Sequence, residues 1–207
     1  MKQQAPRRLL DFLLDHLYAE FAWAYDPVSW AVSLGRWESW RRVALLYLQG
    51  ERILEVGCGT GHLLLDLAGR AHLVYGCDLA PAMLRQARRR AGRAVPLCRV
   101  RAQELPFSAE AFDTVVCTFP AGYIGDPCTW AAFARVLVPR GRVVVVYGVS
   151  VGNRTLGQRL VRFLLALGRT SEAGLRPAWG DCSSLQVLHM VVAVGTDRVG
   201  LLLAEKS

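Results

Sequence analysis

Ile53-Leu54-Glu55-Val56-Gly57-Cys58-Gly59-Thr60-Gly61-His62 decides the fold: a short apolar strand runs into three glycines, and a helix opens behind them. Glycines at such a turn remove the Cβ atoms that would hold a ligand off the backbone, and the amides and dipole of the following helix favour negative charge. The spacing then separates ligand classes. A dinucleotide fingerprint needs its third glycine where His62 stands, and a phosphate loop needs a Gly-Lys-Ser/Thr that does not follow. What remains is Gly-x-Gly-x-Gly with Glu55 two residues ahead of the first glycine. Alone, the trio also fits a tight turn that holds nothing.

The next stretch outward, Tyr75-Gly76-Cys77-Asp78-Leu79-Ala80-Pro81-Ala82-Met83-Leu84, ends its strand on Asp78, 17 residues after Gly61. A carboxylate at a strand end can accept from both hydroxyls of a ribose, and Pro81 suits the first turn of a helix. As an isolated residue Asp78 reads as a helix cap; behind the glycine loop it reads as a ribose ligand. Further along, strands at 52–56, 73–77, 96–101, 112–119 and 142–147 alternate with helices at 60–69, 81–91 and 127–137. Such alternation implies a parallel sheet covered on both faces. A helix at 155–168, an irregular stretch at 170–184 and two apolar runs, 186–194 and 198–204, follow; the runs read as a closing hairpin.

Residues 7–48 carry no strand signal. Leu9, Leu10, Leu13, Leu14, Leu17 and Phe21 step along one helix face, with a break expected near Asp26-Pro27 and a second helical stretch past Trp30. The organisation is therefore an N-terminal helical segment, 1–48, which on its residues alone also reads as an amphipathic helix pair covering the sheet, before a domain at 49–207.

Composition narrows the classes. With 207 residues, 53% of them apolar, the chain can bury an ordinary core, which excludes disorder and mini-protein scaffolds. No apolar run reaches the length of a bilayer crossing, and Asp11, Asp15 and His16 interrupt any apolar region of a signal peptide, so a cytoplasmic location is expected. Six scattered cysteines and no ligand spacing point to neither disulfides nor a metal. The net charge of +8 is almost wholly arginine, and Arg85, Arg88, Arg89, Arg90 and Arg93 read as a solvated helix face beside inward Met83, Ala87 and Ala91. A nucleic-acid partner is disfavoured accordingly.

Together the two motifs resemble those of class I S-adenosylmethionine-dependent methyltransferases. Glu104-Leu105-Pro106-Phe107 with Ala111-Phe112-Asp113-Thr114-Val115-Val116, and Val136-Leu137-Val138-Pro139-Arg140-Gly141-Arg142-Val143, resemble the fourth-strand region and the turn into the fifth strand of the branch (methyltransferase type 11) that includes ubiquinone/menaquinone C-methyltransferases. Phe21-Ala22-Trp23-Ala24-Tyr25-Asp26, Ser33-Leu34-Gly35 and Trp40-Arg41-Arg42 resemble the lid of quinone C-methyltransferases and of some phospholipid N-methyltransferases.

The resemblance implies an α/β, Rossmann-like doubly wound sheet of seven strands, mostly parallel with an antiparallel last strand. It implies S-adenosyl-L-methionine as cofactor. Glu55, Gly57, Cys58, Gly59 and Gly61 would surround its methionine end, Asp78 the ribose, and Leu79 the adenine, with Met83, Gln103 and Thr118 completing the site. Members of this branch commonly place an Asp where this chain has Arg101, which offers no acceptor, so Gln103 or a backbone carbonyl takes that role.

Displacement at a sulfonium needs orientation and exclusion of water more than a general base, so no catalytic side chain is assigned. The apolar loop Thr118-Phe119-Pro120-Ala121-Gly122-Tyr123 lacks the Asn-Pro-Pro-Tyr/Phe grip of amine methylation. Phe119 and Tyr123, with Tyr25 from the lid, are the acceptor-pocket candidates. The expected substrate is a small hydrophobic or aromatic acceptor, quinol-like or lipid-like, reached with peripheral contact at a membrane surface. The alternatives are an RNA methyltransferase and a non-catalytic S-adenosylmethionine-binding protein. The sequence gives no indication of oligomeric state.

Overall fold

The computed structural model describes residues 22–152 and 185–207. The Leu9–Phe21 stripe, His16, Cys182 and the expected helix at 155–168 lie outside the described residues.

Seven strands form one sheet. β1 (Arg52–Val56), β2 (Leu73–Asp78), β3 (Leu97–Arg99), β4 (Phe112–Thr118) and β5 (Leu137–Ser150) run parallel, and β6 (Leu185–Val194) and β7 (Asp197–Lys206) form the closing hairpin. The order is β3-β2-β1-β4-β5-β7-β6, with β7 antiparallel to both neighbours. β1 lies beside both β2 and β4, so the strand order reverses next to it. Ligands of such sheets bind at the carboxyl ends of the strands by this switch point, where the glycine loop begins.

Period-two alternation assigns the strand residues to the two faces. Ile53, Val116, Val144, Val146 and Leu201 meet α3 (His62–Ala68) through Leu63, Leu64 and Leu67, and α4 (Pro81–Ala91) through Ala87 and Ala91. Leu54, Val115, Val143, Val145 and Leu202 meet α5 (Pro127–Val136) through Trp130, Phe133 and Val136 on the other face. Proline occupies the first turn of α4 and of α5, and Asp126 caps α5 by accepting from the Cys128 amide at 2.9 Å.

Several boundaries differ from the sequence reading. β5 begins at Leu137 rather than 142, because Leu137 pairs with Phe112 and Arg142 with Thr114, and the residues between form an irregularity that contains Arg140 at φ +63°. β4 stops at Thr118, since Phe119 sits at φ +48°, off the extended path. No break occurs at Asp26-Pro27: α1 (Ala22–Ser33) runs through it. Proline's fixed φ is helical, so the helix continues through Pro27 with one backbone bond fewer. The break comes at Leu34 and Gly35, φ +51° and +78°. There Gly35 N donates to Trp30 O at 2.8 Å and Leu34 N to Ala31 O at 3.3 Å, the pattern of a Schellman ending.

After that turn come α2 (Trp37–Arg41) and a 3₁₀ segment, Arg42–Tyr47. Asp197, 2% exposed at the start of β7, fastens α2 to the sheet: it accepts from Arg36 at 2.9 Å, from the Trp40 indole at 3.0 Å and from Gly152 N at 3.2 Å. The arginine face of α4 is likewise less solvated than its sequence implies. Arg88 donates to the Gly92 and Val95 carbonyls, and Arg90 reaches the Thr60 carbonyl and Asp26. Among the described residues, no helix is long and apolar enough to cross a membrane.

Candidate active site

The loop from β1 to α3 holds its three glycines at positive φ, +73°, +53° and +79°, which L side chains adopt only at a cost. Each glycine has its own surroundings. A Cβ on Gly57 would lie 2.5 Å from the Tyr123 hydroxyl, and on Gly61 it would meet the Cα of Ala87 at 2.8 Å, where α3 and α4 approach. A Cβ on Gly59 would touch nothing within 4 Å, so the space beside that residue is open. Asp78 buttresses the loop: Oδ2 accepts from Gly59 N at 2.9 Å and Oδ1 from Ala80 N at 2.8 Å. Burial raises the Asp78 pKa against the pull of those amides. Each of its oxygens retains acceptor capacity.

Over the loop opens a cavity of about 420 Å³, within the usual range of roughly 300–1,000 Å³ for small-molecule sites. One wall is Glu55, Gly57, Cys58, Gly59 and Thr118, and the other is α1, α2 and the turn between them, including Trp30, Trp37, Glu38 and Arg41. Two of the wall residues carry unsatisfied polar atoms. Glu55, 1% exposed, has no partner on Oε2, and Arg41, 7% exposed, has none on Nε. Burial drives the Glu55 pKa well upward, with Arg41 acting against it, and the same burial lowers that of Arg41.

Asp26 holds α1 across this cavity. Its carboxylate accepts from Thr60 Oγ1 at 2.8 Å, from Arg90 at 2.8 Å and from His62 Nε2 at 2.9 Å. Burial works against ionisation of Asp26, but the bonds from His62, Thr60 and Arg90 outweigh it and depress its pKa.

Not every expected site residue reaches the cavity. Asp78 joins it through the Gly59 amide, and Leu79 is 53% exposed just beyond. Met83 is fully buried between Ala80 and Ala82. Gln103 donates to Asp126 at 3.0 Å. Phe119 is behind the wall and stacks on Trp37, centroids 4.3 Å apart at 30°. Tyr123 is a prop for the loop rather than a pocket wall, its hydroxyl donating to Val56 O at 3.0 Å. The side chain of Tyr25 lies outside the described ones. Among the described residues, no cluster of His, Cys, Asp and Glu could hold a metal.

The sequence reading assigned no role to Arg41, Asp26 or Trp37. Asp26 and Arg41 stood within stretches quoted for the lid, but only the fold brings their side chains against the glycine loop.

These features fit S-adenosylmethionine: open space beside Gly59, free lone pairs on Asp78 at the strand end, and a buried carboxyl group and guanidinium with unsatisfied atoms on the cavity wall. Comparison with known proteins agrees. Residues 53–141 match a methyltransferase-domain family. The demethylmenaquinone methyltransferase of Symbiobacterium thermophilum is 34% identical over 199 residues, 85% of this chain and 75% of that protein. The enzyme of that name from Thermus thermophilus is 38% identical over 139 residues, and the match spans only 63% of its length. Among solved structures, magnesium protoporphyrin IX methyltransferase from Synechocystis, with S-adenosylhomocysteine bound, superposes with a TM-score of 0.59 at 17% identity, covering 95% of this chain and all of that one. Geranyl diphosphate C-methyltransferase from Streptomyces coelicolor gives 0.57 at 13% identity, covering 82% and 79%. At such identities the structural likeness bears on fold alone, and the sequence relatives carry the assignment: the chain belongs to the S-adenosylmethionine-dependent methyltransferases, in the family that includes the demethylmenaquinone methyltransferases.

Proposed function

We propose that this protein methylates a small, flat, apolar acceptor of the reduced-quinone or lipid type, with residues 1–48 as lid and 49–207 as the cofactor-binding domain. The observation that carries the reading is the Trp37–Phe119 stack, which presents an aromatic plane at the cavity wall beside Thr118. Such a plane favours another flat ring by offset stacking and offers an amine no charged or amide grip. The relatives named for demethylmenaquinone support the same class.

S-adenosylmethionine supplies, when bound, a methyl group already activated on a sulfonium. The tasks left to this chain are orientation and exclusion of water. Asp78 accepts the ribose hydroxyls with the lone pairs that Gly59 and Ala80 leave free, and Leu79 covers the adenine. Glu55, Gly57, Cys58 and Gly59 line the methionine end. Asp26 keeps α1 closed across the cavity while the acceptor lies against Trp37.

Val28, Trp30 and Leu34 are 43%, 66% and 48% exposed on α1 and the turn after it, an apolar rim beside the cavity. That rim supports loading of the acceptor from a membrane surface, with the protein peripheral to it. The test is transfer of labelled methyl from S-adenosylmethionine into separated quinone, phospholipid, water-soluble and RNA fractions of a cell extract. Label is expected in a quinone or lipid fraction. Label confined to RNA, or no transfer to any fraction, overturns the reading.

A further inference from the structure

The cysteines are scattered singly along the sequence, but the sheet brings two of them together. Cys77 on β2 and Cys98 on β3 are partners in the parallel register, so their side chains leave the same face of the sheet. Both join the core layer on the α5 side, Cys77 at 1% exposure and Cys98 half-buried on the edge strand. Neighbouring strands run about 4.8 Å apart, inside the span of roughly 4.4–6.8 Å between Cα atoms that a disulfide bridges. The Cys77 thiol donates to the Cys98 sulfur, which lowers the Cys98 pKa and raises that of Cys77. Methyl transfer uses neither thiol.

Their place in the sheet couples them to the cofactor. The Cys77 carbonyl accepts from Gly57 N at 2.8 Å and from Cys58 N at 3.0 Å, so this residue anchors the start of the glycine loop. Asp78 follows it, with Oδ2 accepting from Gly59 N and the carbonyl accepting from Val100 N at 3.2 Å, just beyond β3. A covalent tie from Cys77 to β3 therefore acts on the one backbone segment that holds both the loop and the ribose carboxylate.

We infer that Cys77 and Cys98 form a reversible disulfide switch, closed by a peroxide, that weakens binding of S-adenosylmethionine. This goes beyond the acceptor reading and does not depend on it. The Cys98 thiolate attacks hydrogen peroxide, forming an S–O bond and breaking O–O, and hydroxide leaves. The Cys77 sulfur then attacks the Cys98 sulfur, forming S–S and breaking S–O, and the departing hydroxyl takes up the Cys77 proton as water. The sulfurs are oxidised by two electrons and the peroxide is reduced by two. Cys98 is the attacking thiol because it is the one open to solvent, and Cys77 resolves from behind it. Linkage makes the coupling reciprocal: a cofactor that prefers the dithiol form must also oppose its oxidation.

The experiment treats the full chain with hydrogen peroxide, in a Cys128→Ser background that removes the exposed thiol at the start of α5. Peptide mapping locates any disulfide, and calorimetry measures S-adenosylhomocysteine affinity before treatment, after it and after dithiothreitol. Cys98→Ser in the same background is the comparison, with thermal unfolding as the check on folding. A Cys77–Cys98 disulfide is expected, with affinity about tenfold weaker and restored by dithiothreitol, while Cys98→Ser keeps its affinity under peroxide. Saturating S-adenosylhomocysteine should raise the midpoint potential of the pair by about 30 mV, the same tenfold expressed for a two-electron couple. A disulfide mapped elsewhere, or Cys98 carried to a sulfinic acid instead, overturns the pairing. A Cys77–Cys98 disulfide that leaves affinity unchanged, or an equal loss of affinity in Cys98→Ser, overturns the switch and leaves the cofactor assignment intact. Failure of the reduced chain to bind S-adenosylhomocysteine overturns both.

Discussion

Glu55 is the residue whose burial most clearly opposes stability. It is ordinary in sequence, an acid two positions before a glycine loop, yet it sits 1% exposed with an unsatisfied oxygen. Burial, together with the charges of Asp78 and Asp66, raises its pKa well above the usual glutamate value, and Arg41 only partly offsets them. The native state therefore holds a proton that the unfolded chain has lost, in the window between the ordinary glutamate pKa and the folded one. Stability falls as pH rises through that window. Glu55→Gln should remove this fall and stabilise the protein at neutral pH by about 1–3 kcal/mol, while weakening S-adenosylhomocysteine at least tenfold. Thermal unfolding and calorimetry across pH 5–8 check both; a variant that loses stability while binding normally contradicts the role. The neighbouring glycine offers a separable test. Gly57→Ala meets the Tyr123 hydroxyl at 2.5 Å and a backbone at φ +73°, so it should cost about 2–3 kcal/mol. Tyr123→Phe in the same chain should recover the steric part and leave about 1 kcal/mol of backbone strain. Denaturant unfolding of the two single variants and the pair measures that coupling, and full additivity would show that the hydroxyl is not the obstacle.

Among the elements, α1 is tied to its neighbours by polar contacts that no local sequence pattern displays. Asp26 fastens it to Thr60 ahead of α3, to His62 within α3 and to Arg90 on α4. The depressed pKa of Asp26 means its contribution is present above the ordinary aspartate pKa and lost only as pH falls toward the folded value, so the Asp26 carboxylate stays ionised from pH 5 to 8. Asp26→Asn should free α1 while the sheet stays folded. Amide exchange in α1 should quicken about tenfold or more at pH 7, with exchange in β1 and β4 unaltered. Equal protection of α1 in wild type and variant would show that other contacts hold the lid. Sequence patterning reached the elements unevenly for the same reason. α4 and the closing hairpin were legible, because Pro81 opens the helix and apolar runs flank Gly195. The path of α1 through Pro27 was not, since proline marks a break by local rules while the ending at Leu34-Gly35 is made by backbone bonds no pattern displays. The irregular start of β5 belongs with it, being a register adjustment against β4.

For the molecule as a whole, the seven-stranded fold and the cofactor class were legible through the family resemblance carried by Glu55, the three glycines, Asp78 and the motifs at the fourth and fifth strands, and the glycine loop lies where the strand order reverses. The acceptor side was less legible. Phe119 and Tyr123 come from the loop read as the acceptor pocket, but Tyr123 supports the glycine loop, and the ring that lines the cavity in front of Phe119 is Trp37, 82 residues away in the chain. Long-range contacts of that kind leave no spacing to read. The central claim is that the Trp37–Phe119 wall orients a flat apolar acceptor for methylation by S-adenosylmethionine. It is tested most directly by mass spectrometry of a reduced, demethylated naphthoquinone incubated with the protein and S-adenosylmethionine carrying a deuterated methyl group. The account predicts one labelled methyl on the acceptor with wild type, and turnover reduced at least tenfold in Trp37→Ala with S-adenosylhomocysteine affinity kept within threefold. An unlabelled acceptor from wild-type protein that binds S-adenosylhomocysteine normally would contradict it.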